Sequence, residues 1–176
     1  SRYHKLLYQS MQSSSSLVSY EFTNRLEDLV TMTNIVRSDS TVQSTLDEIY
    51  QPQEDYAVHY YSDIYSALQK HYLEYRQPYL KMAAISCPRF ITYTNANIPC
   101  RPDADLTKEL IALAEAGEGS PVWVTSHAED HGIFLVREIK KIKNLRLDNL
   151  GTLIINVNLG DLVTEMSKIS NEYKDS

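Results

Sequence analysis

Two histidines and two acids fall within five residues in His127-Ala128-Glu129-Asp130-His131. A zinc hydrolase of the His-Glu-x-x-His kind needs both histidines on one helical face, with the glutamate beside the metal as base. Here the glutamate is displaced and the segment reads as a loop between strands, so a solvated turn is the better reading. Arg137 carries more information. It interrupts the apolar strand Ile133 to Ile139, amid Phe134, Leu135 and Val136. Such an arginine either snorkels from a sheet edge or meets an anion in a pocket; the structural role is favoured. Asp103, Asp105 and Glu109 also cluster, which N-capping and first-turn charge explain. There is no Gly-x-Ser-x-Gly elbow, no Gly-x-Gly-x-x-Gly and no phosphate-cradling P-loop. These residues point to a binding or interaction domain, with no catalytic set, metal or cofactor expected.

The elements that must position these residues belong to a chain of 176 residues, 43% hydrophobic and 23% charged. That is enough for one core, and a single domain over 1–176 is expected. The net charge of −6 argues against nucleic acid as the main partner, because no basic excess is present to displace counterions. Lys140-Lys141 and the span Arg137 to Arg146 read as a solvated strand-and-turn edge. No stretch approaches the roughly 18 apolar residues of a membrane span. The chain opens within a helical pattern, without initiator Met or signal peptide, so Ser1 is expected to follow further sequence. Cys87 and Cys100 allow one disulfide or two free thiols; Cys87-Pro88 and Pro99-Cys100 bracket a strand-like segment, as if closing a loop. Thirteen tyrosines suit half-wet surfaces and pockets.

Glycine and proline divide the molecule. Neither occurs before Pro52, and every glycine lies at or after Gly117. The front is therefore helical. Val18, Phe22, Leu26, Leu29, Val30, Met32 (or Thr33) and Val36 form one amphipathic stripe, in a helix expected over about 1–37. Its serine run, Ser13 to Ser16, is expected to project from the globule. A break at Ser38-Asp39-Ser40 follows, with Ser40 as N-cap and Gln43 reaching back in a capping box. A short helix then runs to about Tyr50, completing a stalk and break over 1–50. Residues 54–76 form another helix, with Ala57, Tyr61, Ile64, Leu68, Tyr72 and Tyr75 on one face.

The sheet module spans 79–176. Strands are expected at Leu80 to Ser86, Phe90 to Thr94, Pro121 to Thr125, Gly132 to Ile142 and Gly151 to Asn158. A helix from Leu106 to Ala116 is capped within Asp103 to Asp105 and closed by Gly117. A last helix carries Leu162, Val163, Met166 and Ile169. The three final strands are close in sequence, which implies an antiparallel sheet and an α+β fold with flanking helices.

Three stretches of this pattern resemble the extracellular Cache-like (PAS-like) sensor domains of bacterial YesM-like two-component histidine kinases. They are Tyr20 to Leu29 running into Ile35 to Gln43, the strand pair from Tyr79 to Tyr93, and Ile133 to Ile139 with Leu150 to Asn158 and Leu162. The resemblance implies an antiparallel sheet of about five strands behind a long N-terminal helix. It implies a domain outside the bacterial membrane, between flanking spans, in a receptor that is a homodimer. A small molecule or extracellular protein would bias it between two arrangements, and the terminal helices would carry the shift to a downstream kinase. A chemoreceptor output, or a helix-mediated dimerisation domain with no pocket, are the alternatives. In a PAS-like pocket between sheet and covering loops, Tyr93, Trp123 and Arg137 are expected to line the ligand. That set favours a carboxylate, phosphate or sugar-like molecule.

Overall fold

The computed structural model describes residues 16–50, 59–95, 101–142 and 148–174. Three helices come first: α1 (Ser16–Ser38), α2 (Ser40–Tyr50) and α3 (His59–Glu74). A hairpin of β1 (Leu80–Ser86) and β2 (Ile91–Tyr93) precedes α4 (Ala104–Ala116). Then come β3 (Val122–Val124), the single turn α5 (Ala128–His131), β4 (Ile133–Lys140), β5 (Asn149–Val157) and α6 (Leu159–Lys174). The strands pair antiparallel throughout in the order β2-β1-β5-β4-β3, which makes the fold α+β and PAS-like, as expected.

Alternation along the strands splits the core in two. Ala83, Ile85, Leu135, Leu153 and Ile155 face α1, α2, α3 and α6. Met82, Ala84, Phe134, Val136 and Ile154 face Leu106, Leu110 and Ala114 of α4. Covering both faces explains why β4 is buried from Ile133 to Ile139, starting with the unbroken apolar run Ile133 to Val136 and taking in Arg137 and Glu138. Most of the stripe expected on α1 is buried: Phe22, Leu26, Leu29, Met32 and Val36 lie in the core and Val30 is half-buried against it, while the Val18 side chain lies outside those described. Each such leucine contributes about 2 kcal/mol by leaving water. The serine run at 13–15 lies outside the described residues.

Three local expectations are corrected. The break falls where the sequence places it, but the N-cap is Asp39 rather than Ser40. Asp39 Oδ1 accepts from the N–H groups of Thr41 (2.8 Å) and Val42 (3.0 Å). A carboxylate is the stronger acceptor, so it takes the cap from the neighbouring hydroxyl. Gln43 closes no capping box. Its Nε2 donates to the carbonyls of Arg37 (2.7 Å) and Lys140 (2.9 Å), tying the elbow to the end of β4. On α3 the buried face is Tyr60, Ile64, Ala67, Leu68, His71 and Tyr72. Tyr61 points outward instead, 45% exposed, and packs on Tyr65 and Phe90. Finally, Gly117 closes α4 in a right-handed conformation (φ −77°), not the left-handed one that usually favours glycine there. A Cβ at Gly117 would stand 2.5 Å from Val122 Cγ2, so the requirement is space.

Hydrogen bonds set the relative height of the helices. Arg137 Nη1 on β4 donates to Thr33 Oγ1 of α1 (3.3 Å), so these residues are level. Tyr79 sits at the opposite end of the sheet, where its carbonyl accepts from Asn158 N (2.9 Å) just before α6. There the charges of Arg25 and Asp28 on α1 and of Glu165 on α6 all act on its phenol. The spacing agrees: four strand residues span about 13 Å, and eight helical residues about 12 Å. The stretch of α1 around Arg25 and Asp28 thus lies near that end of the sheet, and α1 packs against α6. Phe22 and Leu26 of α1 join Leu162 and Met166 of α6 in one buried cluster.

Burial foremost, with Asp28 and Glu165 assisting against Arg25, pushes the Tyr79 phenol up to about 12. In the unfolded chain it ionises near its ordinary value of 10.0. The unfolded state then binds fewer protons, so stability is fully present below pH 10 and falls as pH rises toward about 12. Urea unfolding of the wild type and Tyr79→Phe across that range is expected to show a steeper alkaline loss in the wild type. Parallel curves would contradict this.

Candidate functional site

The three residues expected to line one pocket do not meet. Tyr93 pairs with Ala84, whose side chain belongs to the α4 face. Trp123 pairs with Leu135 and Arg137 with Leu153, both on the α1 face. A two-residue side-chain period places directly paired residues on the same side, so the sheet itself separates Tyr93 from the other two. Trp123, 6% exposed, is part of the helix-side core. Tyr93 is half-buried and carries the Arg101 guanidinium 4.3 Å from its ring centre.

Arg137 neither snorkels from an edge nor opens into the α4 face. It sits on the second strand from the edge, 8% exposed. Its Nε donates to Gly119 O (2.7 Å), and its Nη1 donates to Thr33 Oγ1 (3.3 Å) and Asn34 Oδ1. The arginine therefore joins α1 to the sheet and to the turn before β3. Burial, with the nearby charge of Arg37, lowers its pKa from the ordinary value.

The segment 127–131 is a helical turn rather than a plain loop, which brings the His127 and His131 rings to 6.2 Å. His127 Nε2 lies 2.9 Å from Glu109 Oε2 on α4. Among the described residues no three His, Cys, Asp or Glu side chains converge to hold a metal. Cys87 is a free thiol that donates to Phe90 O (3.4 Å), and burial pushes its pKa up. Cys100 lies outside the described residues.

A polar group that sequence reasoning missed locks the helix elbow. His71, 5% exposed, lies with Nε2 2.8 Å from Asp39 Oδ2 and Nδ1 3.3 Å from Glu74 Oε2. Both ring nitrogens are thus offered acceptors. The same Asp39 caps α2, so one carboxylate fastens α1, α2 and α3 together. Burial acts to raise the Asp39 pKa, but the bonds from His71, Val42 and Thr41 outweigh it and hold the carboxyl below its ordinary value. The one signal in the sequence was a histidine placed on the apolar stripe of α3.

Beside this elbow is a cavity of about 260 Å³, lined by Ser38, Ser40, Gln43, Asp47, Lys141 and Ile142 and crossed by the Lys141–Asp47 ion pair (2.8 Å). A second, of about 300 Å³, lies over Thr125 to Asp130. Neither takes in Tyr93, Trp123 or Arg137. On the α4 face, the centre is filled by Leu106, Leu110 and Ala114 against the sheet.

Strand order and two-sided cover define the class: an antiparallel PAS-like α+β domain with paired terminal helices. Comparison with known proteins finds no matching family model and no matching curated sequence.

Proposed function

We propose that this chain is the extracytoplasmic signal-sensing domain of a membrane-bound sensor histidine kinase. It takes its input from a small molecule or partner protein and passes it on through α1 and α6. The observation that carries the reading is the packing of those two helices against each other, with Arg25 and Glu165 both acting on Tyr79 at one end of the sheet. A shift of α1 against the sheet is felt by α6 because both pack in one buried cluster, and close-packed interfaces shift between discrete arrangements. The domain binds and transmits; the phosphoryl chemistry belongs to a downstream part.

The test uses the full gene product in nanodiscs, with cysteines at Arg25→Cys and Glu165→Cys in a Cys87→Ser/Cys100→Ser background. Joining them with a short bismaleimide is expected to hold autophosphorylation at one level and abolish its response to stimulus. A response that survives the cross-link, or a gene product without kinase activity, would overturn the reading.

The filled centre of the α4 face favours a second form of input, a partner protein rather than a large organic molecule. The exposed Tyr61, packed on half-buried Tyr65 and Phe90, adds an aromatic contact point to that reading.

A further inference from the structure

Near the Arg137 cluster lies a second arginine whose Nε is left without a partner among the described residues. Arg37 lies three residues after Asn34 and four after Thr33, on the face of α1 that receives Arg137. Its Nε is buried and has no hydrogen-bond partner. None of the ion pairs among the described residues involves either arginine. Arg137 spends Nε and Nη1 on neutral oxygens; its Nη2 makes no hydrogen bond among the described residues. Two guanidinium groups, close enough for the charge of one to act on the other, therefore share one partly dry corner with no carboxylate paired to either among the described residues.

That arrangement is unfavourable as it stands. Removing like charges from water carries a large desolvation cost, which only a counter-charge with good geometry offsets. The C-terminal dipole of α1 favours cations, yet the Arg37 carbonyl is already occupied by Gln43 Nε2 (2.7 Å). Guanidinium forks match planar and tetrahedral oxyanions, donating several bonds at once.

The geometry points to a binding site for a small oxyanion, of the phosphate or carboxylate class, held between Arg37 and Arg137 where the last turn of α1 meets β4. Bound there, the anion bridges α1 to the sheet and to the turn at Gly119. The site lies on the opposite side of the sheet from Tyr93 and stands whether or not the chain feeds a kinase.

Thermal melts and calorimetric titrations of the chain with inorganic phosphate, sulfate and acetate, against chloride at matched ionic strength, test it. Wild type is expected to show a saturable rise in Tm with phosphate or sulfate, since a ligand of the native state stabilises by mass action. Acetate acting alone would assign the carboxylate class. Arg37→Gln is expected to lose at least tenfold in affinity, and Arg37→Lys several-fold because the fork is gone. Without anion, Arg37→Gln is expected to melt no lower than wild type, because it removes an orphan donor and a like charge. Equal gains in wild type and Arg37→Gln, no gain beyond matched chloride, or an anion-free Arg37→Gln markedly less stable than wild type would each overturn the site.

Discussion

Gly132→Ala is expected to lower stability by about 3–5 kcal/mol, the sum of backbone strain and a backbone clash. Gly132 joins α5 to β4 at φ +76° and ψ −160°, a region essentially reserved for glycine. A Cβ there would also lie 2.5 Å from the carbonyl oxygen of Val157 on the central strand β5. That oxygen cannot swing aside, because Ile133 pairs with Val157 at the same level. In a domain of this size the loss corresponds to a Tm drop of about 10 °C or more. Gly119→Ala is the internal control. Gly119 is also left-handed (φ +88°), but its nearest neighbour would be the flexible Lys140 side chain at 3.4 Å. Strain alone then operates, and about 1–2 kcal/mol is expected. Equal losses at the two sites by urea unfolding would refute the clash at β5.

Asp39→Ala comes next in size, at about 2–4 kcal/mol. About 1 kcal/mol is the lost N-cap of α2, and the rest follows from leaving His71 buried without its closer acceptor. Asp39→Asn keeps its amide oxygen for the cap and turns its NH2 toward His71 Nε2, which can accept when the ring proton sits on Nδ1 beside Glu74, so a loss of about 1 kcal/mol is expected. The two variants also separate by pH. The folded-state pKa of Asp39 is below its unfolded value of 3.8. Its contribution is therefore present above pH 3.8 and lost as pH falls through the lower folded value. The gap between wild type and Asp39→Asn is expected to narrow on acidification below about pH 4. A gap constant from pH 7 to pH 2 would contradict the Asp39–His71 link.

How far the residues alone led differs between fold and site. The stripe Phe22, Leu26, Leu29, Met32 and Val36 named the buried face of α1 correctly, since a 3.6-residue period is written in one segment. The same reasoning slipped on α3, where a tyrosine-rich helix has rings on every side. Composition could not tell buried Tyr60 from outward Tyr61. At the elbow the break falls where the sequence places it, but the cap expected at Ser40 is taken by Asp39. The carboxylate won because His71, 32 residues away, holds it in position. The pocket expectation failed for a sharper reason. Tyr93, Trp123 and Arg137 lie on three strands, and which face each takes depends on pairing register, which no single strand specifies.

The sequence by itself determined the order of elements apart from the single turn α5, the α+β class, the antiparallel closing strands, the helix over the described part of the glycine-free front and the break near Asp39. All of these rest on local periodicity, propensity and turn chemistry, which act between near neighbours. Tertiary structure alone decided what Arg137 is. Its partners Thr33 and Asn34 lie 104 and 103 residues away, and its neighbour Arg37, whose Nε has no partner among the described residues, is on the same distant helix. Whether a buried cation is neutralised depends on what the fold brings within a few ångströms, and electrostatic energy depends on that separation rather than on distance along the chain.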